Sequence, residues 1–157
     1  QAKIAYEMLR AAGVPCLISQ YRYSMFDRTV EEKSLPLAAE QGSGFIAFSP
    51  LAQGLLTKKY LHGIPEHSRA ARSTGFLKVD QVTEDKVGKA RRLDEIAARR
   101  GQTLAEMALA WVLKDERMTS VIVGTSSVKQ LADNLHALDN LNFTNEELAE
   151  IEGILRL

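Results

Sequence analysis

The chain has 157 residues, of which 45% are hydrophobic and 25% are charged, a composition typical of one folded domain. This balance excludes disordered, collagen-like and disulfide-scaffold proteins. Its 20 basic and 20 acidic side chains cancel, so no strong electric field attracts nucleic acid or anionic lipid.

The cysteine content and the hydropathy of the chain indicate which cellular compartment to expect. Cys16 is the single cysteine, which excludes an intramolecular disulfide and a multi-thiolate metal site and fits a reducing compartment. No apolar run reaches the length that spans a bilayer, and the N-terminus lacks a signal-peptide pattern. We therefore expect a cytoplasmic protein with no membrane insertion and no nucleic-acid partner, while a homo-oligomer is left open.

The first elements are a helix and a strand. Apolar residues recur at helical spacing between residues 4 and 12, and Gly13 with Pro15 gives a stop signal just beyond them. The apolar run 16–21 then has the length and flanks of a short buried strand.

A second helix and strand follow. Thr29 and Glu32 have the spacing of a capping box, in which a hydroxyl and a carboxylate satisfy free amides at a helix start. This pattern predicts a helix that stops near Gly42. Residues 45–49 form a second apolar strand, which ends at Pro50 because proline has no amide hydrogen for the ladder.

The middle of the chain is a long connection. Residues 52–83 carry glycines, a proline and several basic side chains without sustained periodicity, and such a long connection is more often functional than idle. The β-branched run 119–123 predicts a third strand, which Gly124 ends.

Four helices are predicted by their N-terminal hydroxyls. Thr83 precedes a helix that ends at Gly101, and Ser127 with Gln130 precedes another. Two full capping boxes open the remaining helices, Thr103 with Glu106 and Thr144 with Glu147.

Apolar strands separated by helices predict βαβ crossovers and an α/β fold with a parallel sheet covered on both faces. Three strands would leave sheet edges uncovered, and a complete (β/α)8 barrel needs about 250 residues. We therefore expect the chain to be part of a larger α/β domain.

Ligands of such folds meet the carboxyl ends of the strands, here residues 20–22, 48–56 and 124–130. The third segment places a glycine and hydroxyls before a helix N-terminus, which suits an anion such as phosphate but also an ordinary capped turn. Phe48 leaves its strand where it could stack on a ring cofactor or simply join the core. The residue pattern leaves both pairs of alternatives open.

Two motifs carry a family resemblance. Ser-Pro-Leu-Ala-Gln-Gly-Leu-Leu at 49–56, followed by Val-Gly-Thr-Ser at 123–126, resembles the C-terminal half of aldo-keto reductases. The chain looks most like the branch that holds bacterial L-glyceraldehyde 3-phosphate reductases and potassium channel β subunits. The resemblance implies a TIM barrel, with residues 1–157 supplying about three of its strands and the N-terminal half missing.

The resemblance also implies an oxidoreductase that uses NADP(H) to reduce a small aldehyde or ketone. By position, Gln20 resembles the residue that binds the nicotinamide carboxamide, and Phe48 resembles the aromatic residue that stacks on the nicotinamide. The remaining implied cofactor contacts are Ser49, Pro50, Leu51, Ala52, Gln53 and Gly54 around the pyrophosphate, Lys59 and Arg69 on the phosphates, and Gly124, Ser126, Gln130, Asp133 and Asn134 at the adenosine end.

Catalytic and metal-binding residues are not predicted in this chain. The family's Asp, Tyr, Lys and His set belongs to the first half of the barrel, and His62, His67 and His136 do not match it. No adenine contact is assigned to His67, and no His, Cys and carboxylate spacing indicates a metal. Two alternatives remain: a regulatory nucleotide-binding module like the channel β subunits, or an inactive fragment.

Overall fold

The computed structural model describes residues 1–71 and 76–157, and its centre is a parallel sheet of three strands. The strands are β1 (Ile18–Arg22), β2 (Gly44–Phe48) and β3 (Met118–Ile122), in the order β1-β2-β3. Each lies within two residues of its predicted position. The α/β fold is therefore confirmed, and a fragment of a TIM barrel is consistent with it.

Six α-helices accompany the sheet in the described ranges. They are α1 (Ala2–Ala11), α2 (Ser34–Glu40), α3 (Glu84–Arg99), α4 (Leu104–Leu113), α5 (Val128–Leu135) and α6 (Asn145–Arg156), with short 3₁₀ turns at Ala52–Gly54, Lys58–Tyr60, Val79–Gln81 and His136–Asp139. None of the helices within residues 1–71 and 76–157 has the length and apolar character needed to cross a membrane. Gly75, one of the glycines of the long connection, lies outside the described residues.

The two faces of the sheet differ in burial. Phe45 and Ala47 of β2 are fully buried on the face that the helices cover, whereas Ile46 and Phe48 on the opposite face are only half-buried. Gln20 pairs with Ile46 and Arg22 with Phe48, and partners in a parallel ladder share a face. The prediction of cover on both faces is wrong for the described chain, because its helices pack against one face only.

The core forms between this covered face and helices α2, α3, α4 and α6. Helix α4 is its centre, since seven of its residues are buried, among them Trp111. The Trp111 ring lies 5.6 Å from the ring of Tyr23 and also receives two cations, with the Lys114 Nζ at 4.0 Å and the Arg28 Cζ at 5.1 Å from its centre. The core thus joins the end of β1 to α4.

Strand β1 and helix α1 are less buried than their apolar patterns predicted. Ile18 is 52% exposed because it lies with Gln20 and Arg22 on the open face of the sheet, the face opposite the helices, and Leu17 before the strand is 76% exposed. No described strand pairs with the outer edge of β1. Helix α1 buries only Tyr6, and its apolar residues Ile4 and Met8 face solvent. The prediction of a buried first strand is therefore wrong, and β1 is an edge strand.

Four of the five predicted helix caps are formed. Thr83, Thr103, Ser127 and Thr144 each accept a hydrogen bond from an amide three residues later, and Thr103 and Thr144 form full capping boxes. The predicted cap at Thr29 is wrong. Helix α2 begins only at Ser34, and Thr29 donates its hydroxyl hydrogen to the Asp27 Oδ1 at 3.0 Å.

Glu31 belongs to a hydrogen-bonded network rather than to a helix cap. Its carboxylate accepts hydrogen bonds from the Tyr23 hydroxyl at 2.8 Å and from the Arg28 Nε at 2.9 Å, and Arg28 also pairs with Glu152 of α6. Burial raises the pKa of Glu31, but the hydrogen bonds from Arg28 and Tyr23 outweigh it and leave the pKa below its usual value. Burial also lowers the pKa of the neighbouring Lys114.

Replacing Glu31 should therefore change the acid sensitivity of the fold. A lowered carboxyl pKa stabilises the fold above the usual pKa of the group, and this contribution disappears as the pH falls through the lowered value. We expect Glu31→Gln to lower the free energy of unfolding at pH 7 by about 1 to 3 kcal/mol and to differ less from the parent chain near pH 3. Urea unfolding at both pH values measures this, and Glu32→Gln, at an exposed neighbour, is the control.

The open edge predicts self-association of the chain on its own. Exposed Leu17 and Ile18 lie beside unpaired backbone groups, and such edges pair with other chains unless a charge intervenes. We expect Ile18→Lys to shift the chain toward monomer in sedimentation velocity experiments at 10 to 100 μM. A monomeric parent chain over that range would contradict the prediction.

Candidate functional site

A groove of about 600 Å³ opens where β2 and β3 end. One wall consists of Phe48 and the segment that follows it, and the other consists of residues 122–126 with Gln130 of α5. The two strands are adjacent and parallel, so both of their carboxyl ends contribute to the same groove. This is the edge at which open and closed parallel sheets bind ligands.

The segment after β2 is a tightly wound turn. Ser49, Ala52 and Gln53 all have positive φ values, of 55°, 48° and 62°, and Gly54 follows with a φ of 99°. Residues other than glycine rarely adopt a positive φ, and those that do are commonly found at ligand-binding sites. Backbone hydrogen bonds hold the turn, including Ala52 N to Ser49 O and Gly54 N to Leu51 O, both at 2.9 Å.

A second set of contacts connects this turn to Lys59. The Thr57 hydroxyl donates to the Gly54 carbonyl oxygen at 2.7 Å and accepts from the Lys59 amide at 3.2 Å. Tyr60 is buried beneath them, and a Cβ atom at Gly54 would lie 3.4 Å from its ring. The backbone of Lys59 is thus held next to the groove while its side chain is exposed.

The opposite wall is the turn between β3 and α5. Gln130 folds back so that its Oε1 accepts from the Ser126 amide at 2.9 Å and from the Ser126 hydroxyl at 3.1 Å. The Ser127 hydroxyl accepts from the Gln130 amide at 3.1 Å. These bonds order the N-terminus of α5 against the groove, where the helix dipole favours negative charge.

Two cations of the groove wall have no ion-pair partner among the described residues. They are Lys59 and Arg69, which are both exposed. The Arg69 Nη2 lies 3.7 Å from the position that a Cβ atom at Gly124 would occupy, so the guanidinium reaches across to the β3 wall. By contrast, the Lys129 Nζ is paired with Asp133 at 2.7 Å.

Most of the residues named by position from the sequence are brought together in this groove. They are Phe48, Ser49, Pro50, Leu51, Gln53, Gly54, Lys59, Arg69, Gly124, Ser126 and Gln130. Four others do not line it: Gln20 is exposed on the open face of β1, Ala52 packs toward the core, Asp133 pairs with Lys129, and Asn134 is buried. The Asn134 Nδ2 has no hydrogen-bond partner in the described part of the chain.

The groove also contains five residues outside the set of implied cofactor contacts. Thr57 and His67 come from the long connection, whereas Ile122, Val123 and Thr125 come from the end of β3. The last three follow directly from strand position, so they could have been named. No local sequence pattern marks His67 as a groove residue, because only the path of the long connection brings it to the groove wall.

No cluster of metal-ligating side chains occurs within residues 1–71 and 76–157. His136 instead forms a contact between its Nδ1 and the Asp139 Oδ2 at 2.9 Å, and this hydrogen bond raises the pKa of His136. His62 is exposed.

The sequence model described as "Aldo/keto reductase family" matches residues 1–156. The chain belongs to this family. Its relatives include an L-glyceraldehyde 3-phosphate reductase of Escherichia coli O157:H7, 47% identical over 150 residues, and one of Escherichia coli strain K12, 45% identical over 150 residues. Each match covers 93% of this chain but 43% of the relative, so the chain spans less than half the length of these reductases.

The comparisons confirm the family resemblance read from residues 49–56 and 123–126, and with it an oxidoreductase family. Members of this aldo-keto reductase family act on small carbonyl compounds. The individual cofactor contacts and the missing N-terminal half stay predictions.

Backbone strain in the groove wall can be tested with two glycines. Gly54→Ala should lower the free energy of unfolding by about 1 to 3 kcal/mol, since its φ of 99° disfavours a side chain. Gly88 is the matched control, because it lies within α3 with open space around it. Gly88→Ala should raise the same free energy by up to about 1 kcal/mol. Urea unfolding checks both, and equal effects would contradict the strain argument.

Proposed function

We propose that the groove binds NADP(H) and that the chain forms the cofactor-binding portion of an enzyme that reduces an aldehyde or ketone. The observation that supports this most is the pair of cations, Lys59 and Arg69, which face an ordered helix N-terminus across the groove and have no ion-pair partner in the described ranges. A dinucleotide phosphate brings several negative charges, which this arrangement would neutralise.

The residues of the groove fit the phosphate groups of such a cofactor. The turn at residues 49–54 presents backbone at close range, and Gly124 leaves space that Arg69 can share with a ligand. Arginine is suited to a 2′-phosphate because its planar guanidinium binds two oxygens at once. We therefore assign the pyrophosphate to the turn and the 2′-phosphate to Lys59 and Arg69.

The open face of the sheet offers a position for the nicotinamide ring. Phe48 is half-buried on the open face at the end of β2, rather than packed in the core. Gln20 lies on the same face of the adjacent strand, with its amide accessible. We propose that Phe48 stacks on the nicotinamide ring and that Gln20 binds its carboxamide.

NADPH, when bound, supplies the hydride that a carbonyl carbon accepts, while the carbonyl oxygen takes a proton and the products are an alcohol and NADP⁺. This chain orients the cofactor. We propose that the proton donor lies in an N-terminal portion of a (β/α)8 barrel outside this sequence. The exposed edge of β1 and the length of the two E. coli relatives support that arrangement.

The 2′-phosphate assignment predicts a change in cofactor preference. NADPH and NADH differ only by that group, and a charge-assisted contact contributes about 1.5 to 3 kcal/mol, or about 10- to 150-fold in affinity. We expect Arg69→Ala, in the protein with its complete barrel, to weaken NADPH binding by that factor relative to NADH. Fluorescence titration with both nucleotides measures the two dissociation constants.

The control for this prediction is Gln20→Ala, which removes a contact to the end that both nucleotides share. It should weaken NADPH and NADH alike. If Arg69→Ala weakens both nucleotides equally, the assigned role of Arg69 is wrong. If the parent protein binds neither nucleotide, the proposed function itself fails.

A further inference from the structure

A second, smaller cavity of about 140 Å³ lies beside the groove, on the other side of the turn at residues 49–54. Ser49 and Gln53 line both cavities, so the two spaces adjoin across these side chains. The rest of the small cavity comes from Arg22 at the end of β1, the segment after it, Ala52 and Leu55, the end of the long connection, and Lys86 of α3. A molecule held there would lie next to whatever occupies the groove near Phe48.

Arg22 is the residue of this cavity closest in register to Phe48. It is the last residue of β1, it pairs with Phe48 in the ladder, and both side chains are on the open face of the sheet. Its side chain is 54% exposed, and its ion-pair contact in the described chain is a loose one, 4.0 Å from Nη1 to the Asp27 Oδ2. Most of the donors of its guanidinium therefore remain available to a ligand.

The charges around the cavity favour an anion. Arg22 and Lys86 contribute two positive charges and Asp27 contributes one negative charge. The Asp27 Oδ1 also accepts a hydrogen bond from Thr29, so its carboxylate is shared, and the Lys86 Nζ donates to the Gln81 carbonyl oxygen at 3.3 Å. The described lining thus keeps a net positive charge, with the exposed Arg22 guanidinium at its edge.

Polar and apolar groups complete a small binding site. Ser24 and Ser49 line the cavity with hydroxyls, whereas Phe26 and Leu77 form apolar walls that limit its size. Such a space accommodates a compact charged group on a short carbon chain better than a large apolar one.

We propose that this cavity receives the anionic end of a short carbonyl substrate, and that Arg22 is the residue that binds it and selects for it. The anion is a phosphate or a carboxylate, whose oxygens match the fork of the guanidinium. This inference rests on the proposed function, since Phe48 would place the nicotinamide beside the cavity. The relatives' name, L-glyceraldehyde 3-phosphate reductase, is consistent with such a substrate.

The test compares charged and uncharged substrates of similar length in the protein with its complete barrel. NADPH oxidation is followed with glyceraldehyde 3-phosphate against glyceraldehyde, and with succinic semialdehyde against butanal. The first pair reports a preference for phosphate and the second a preference for carboxylate. The readout is the ratio of kcat/KM values within each pair.

We expect the parent protein to prefer the charged member of at least one pair, and Arg22→Gln to lower that ratio by about 10- to 150-fold. Arg22→Lys should retain part of the preference, because it keeps the charge but loses the bidentate geometry. Arg92→Gln, which removes an exposed charge on α3 away from this cavity, is the matched control and should leave the ratio unchanged.

Three results would overturn the inference while leaving the proposed function intact. They are a parent protein that turns over uncharged aldehydes without preferring charged ones, an unchanged ratio in Arg22→Gln, and an equal fall in Arg92→Gln. Absence of NADPH oxidation with all four aldehydes would instead reject the proposed function, and the inference would fall with it.

Discussion

The parallel pairing of β2 with both of its neighbours is the constraint on which the site depends. Because β2 is central, its carboxyl end lies between the ends of β1 and β3, and all three point to one edge. The ladder also fixes which side chains share a face. A shift of one residue between β1 and β2 would send Phe48 and Arg22 to opposite faces and separate the groove from the second cavity.

The covered face stabilises that ladder through Trp111. Tyr23 extends the pairing, since its amide donates to the Phe48 carbonyl oxygen at 3.3 Å, and its ring packs on Trp111 of α4. Glu31 and Arg28 hold the Tyr23 side chain and connect it to α6. Packing on the covered face therefore holds in place the strand ends that form the site on the open face.

The basic side chains around Trp111 are compensated, whereas, among the described residues, those at the groove are not. Around Trp111, the cations Arg28 and Lys114 are compensated by Glu31 and by the aromatic ring, which allows them to be partly buried. At the groove, Lys59 and Arg69 are exposed and have no such compensation in the described chain. The first arrangement stabilises a fold, whereas the second leaves positive charge available to a ligand.

The sequence by itself determined the order of the strands and helices, four of the five caps and the strand-end segments that form most of the groove. These features depend on local chemistry: apolar runs form strands, hydroxyls satisfy helix amides, and strand ends meet at one edge. The motifs at residues 49–56 and 123–126 also carry the family resemblance, which is what implied Lys59 and Arg69 as cofactor contacts. The first of these motifs forms a local turn in which Ser49, Ala52, Gln53 and Gly54 all have positive φ values.

Only the tertiary structure decided burial and partners. The exposure of Ile18 depends on its position on the sheet face that no described helix covers, which no local pattern records. Thr29 does not cap α2 because the helix begins only at Ser34, and Glu31 is held by Tyr23 and Arg28 from outside α2. The path of the long connection brings His67 to the groove, and the register of the ladder places Arg22 beside Phe48, so both depend on contacts between segments distant in sequence.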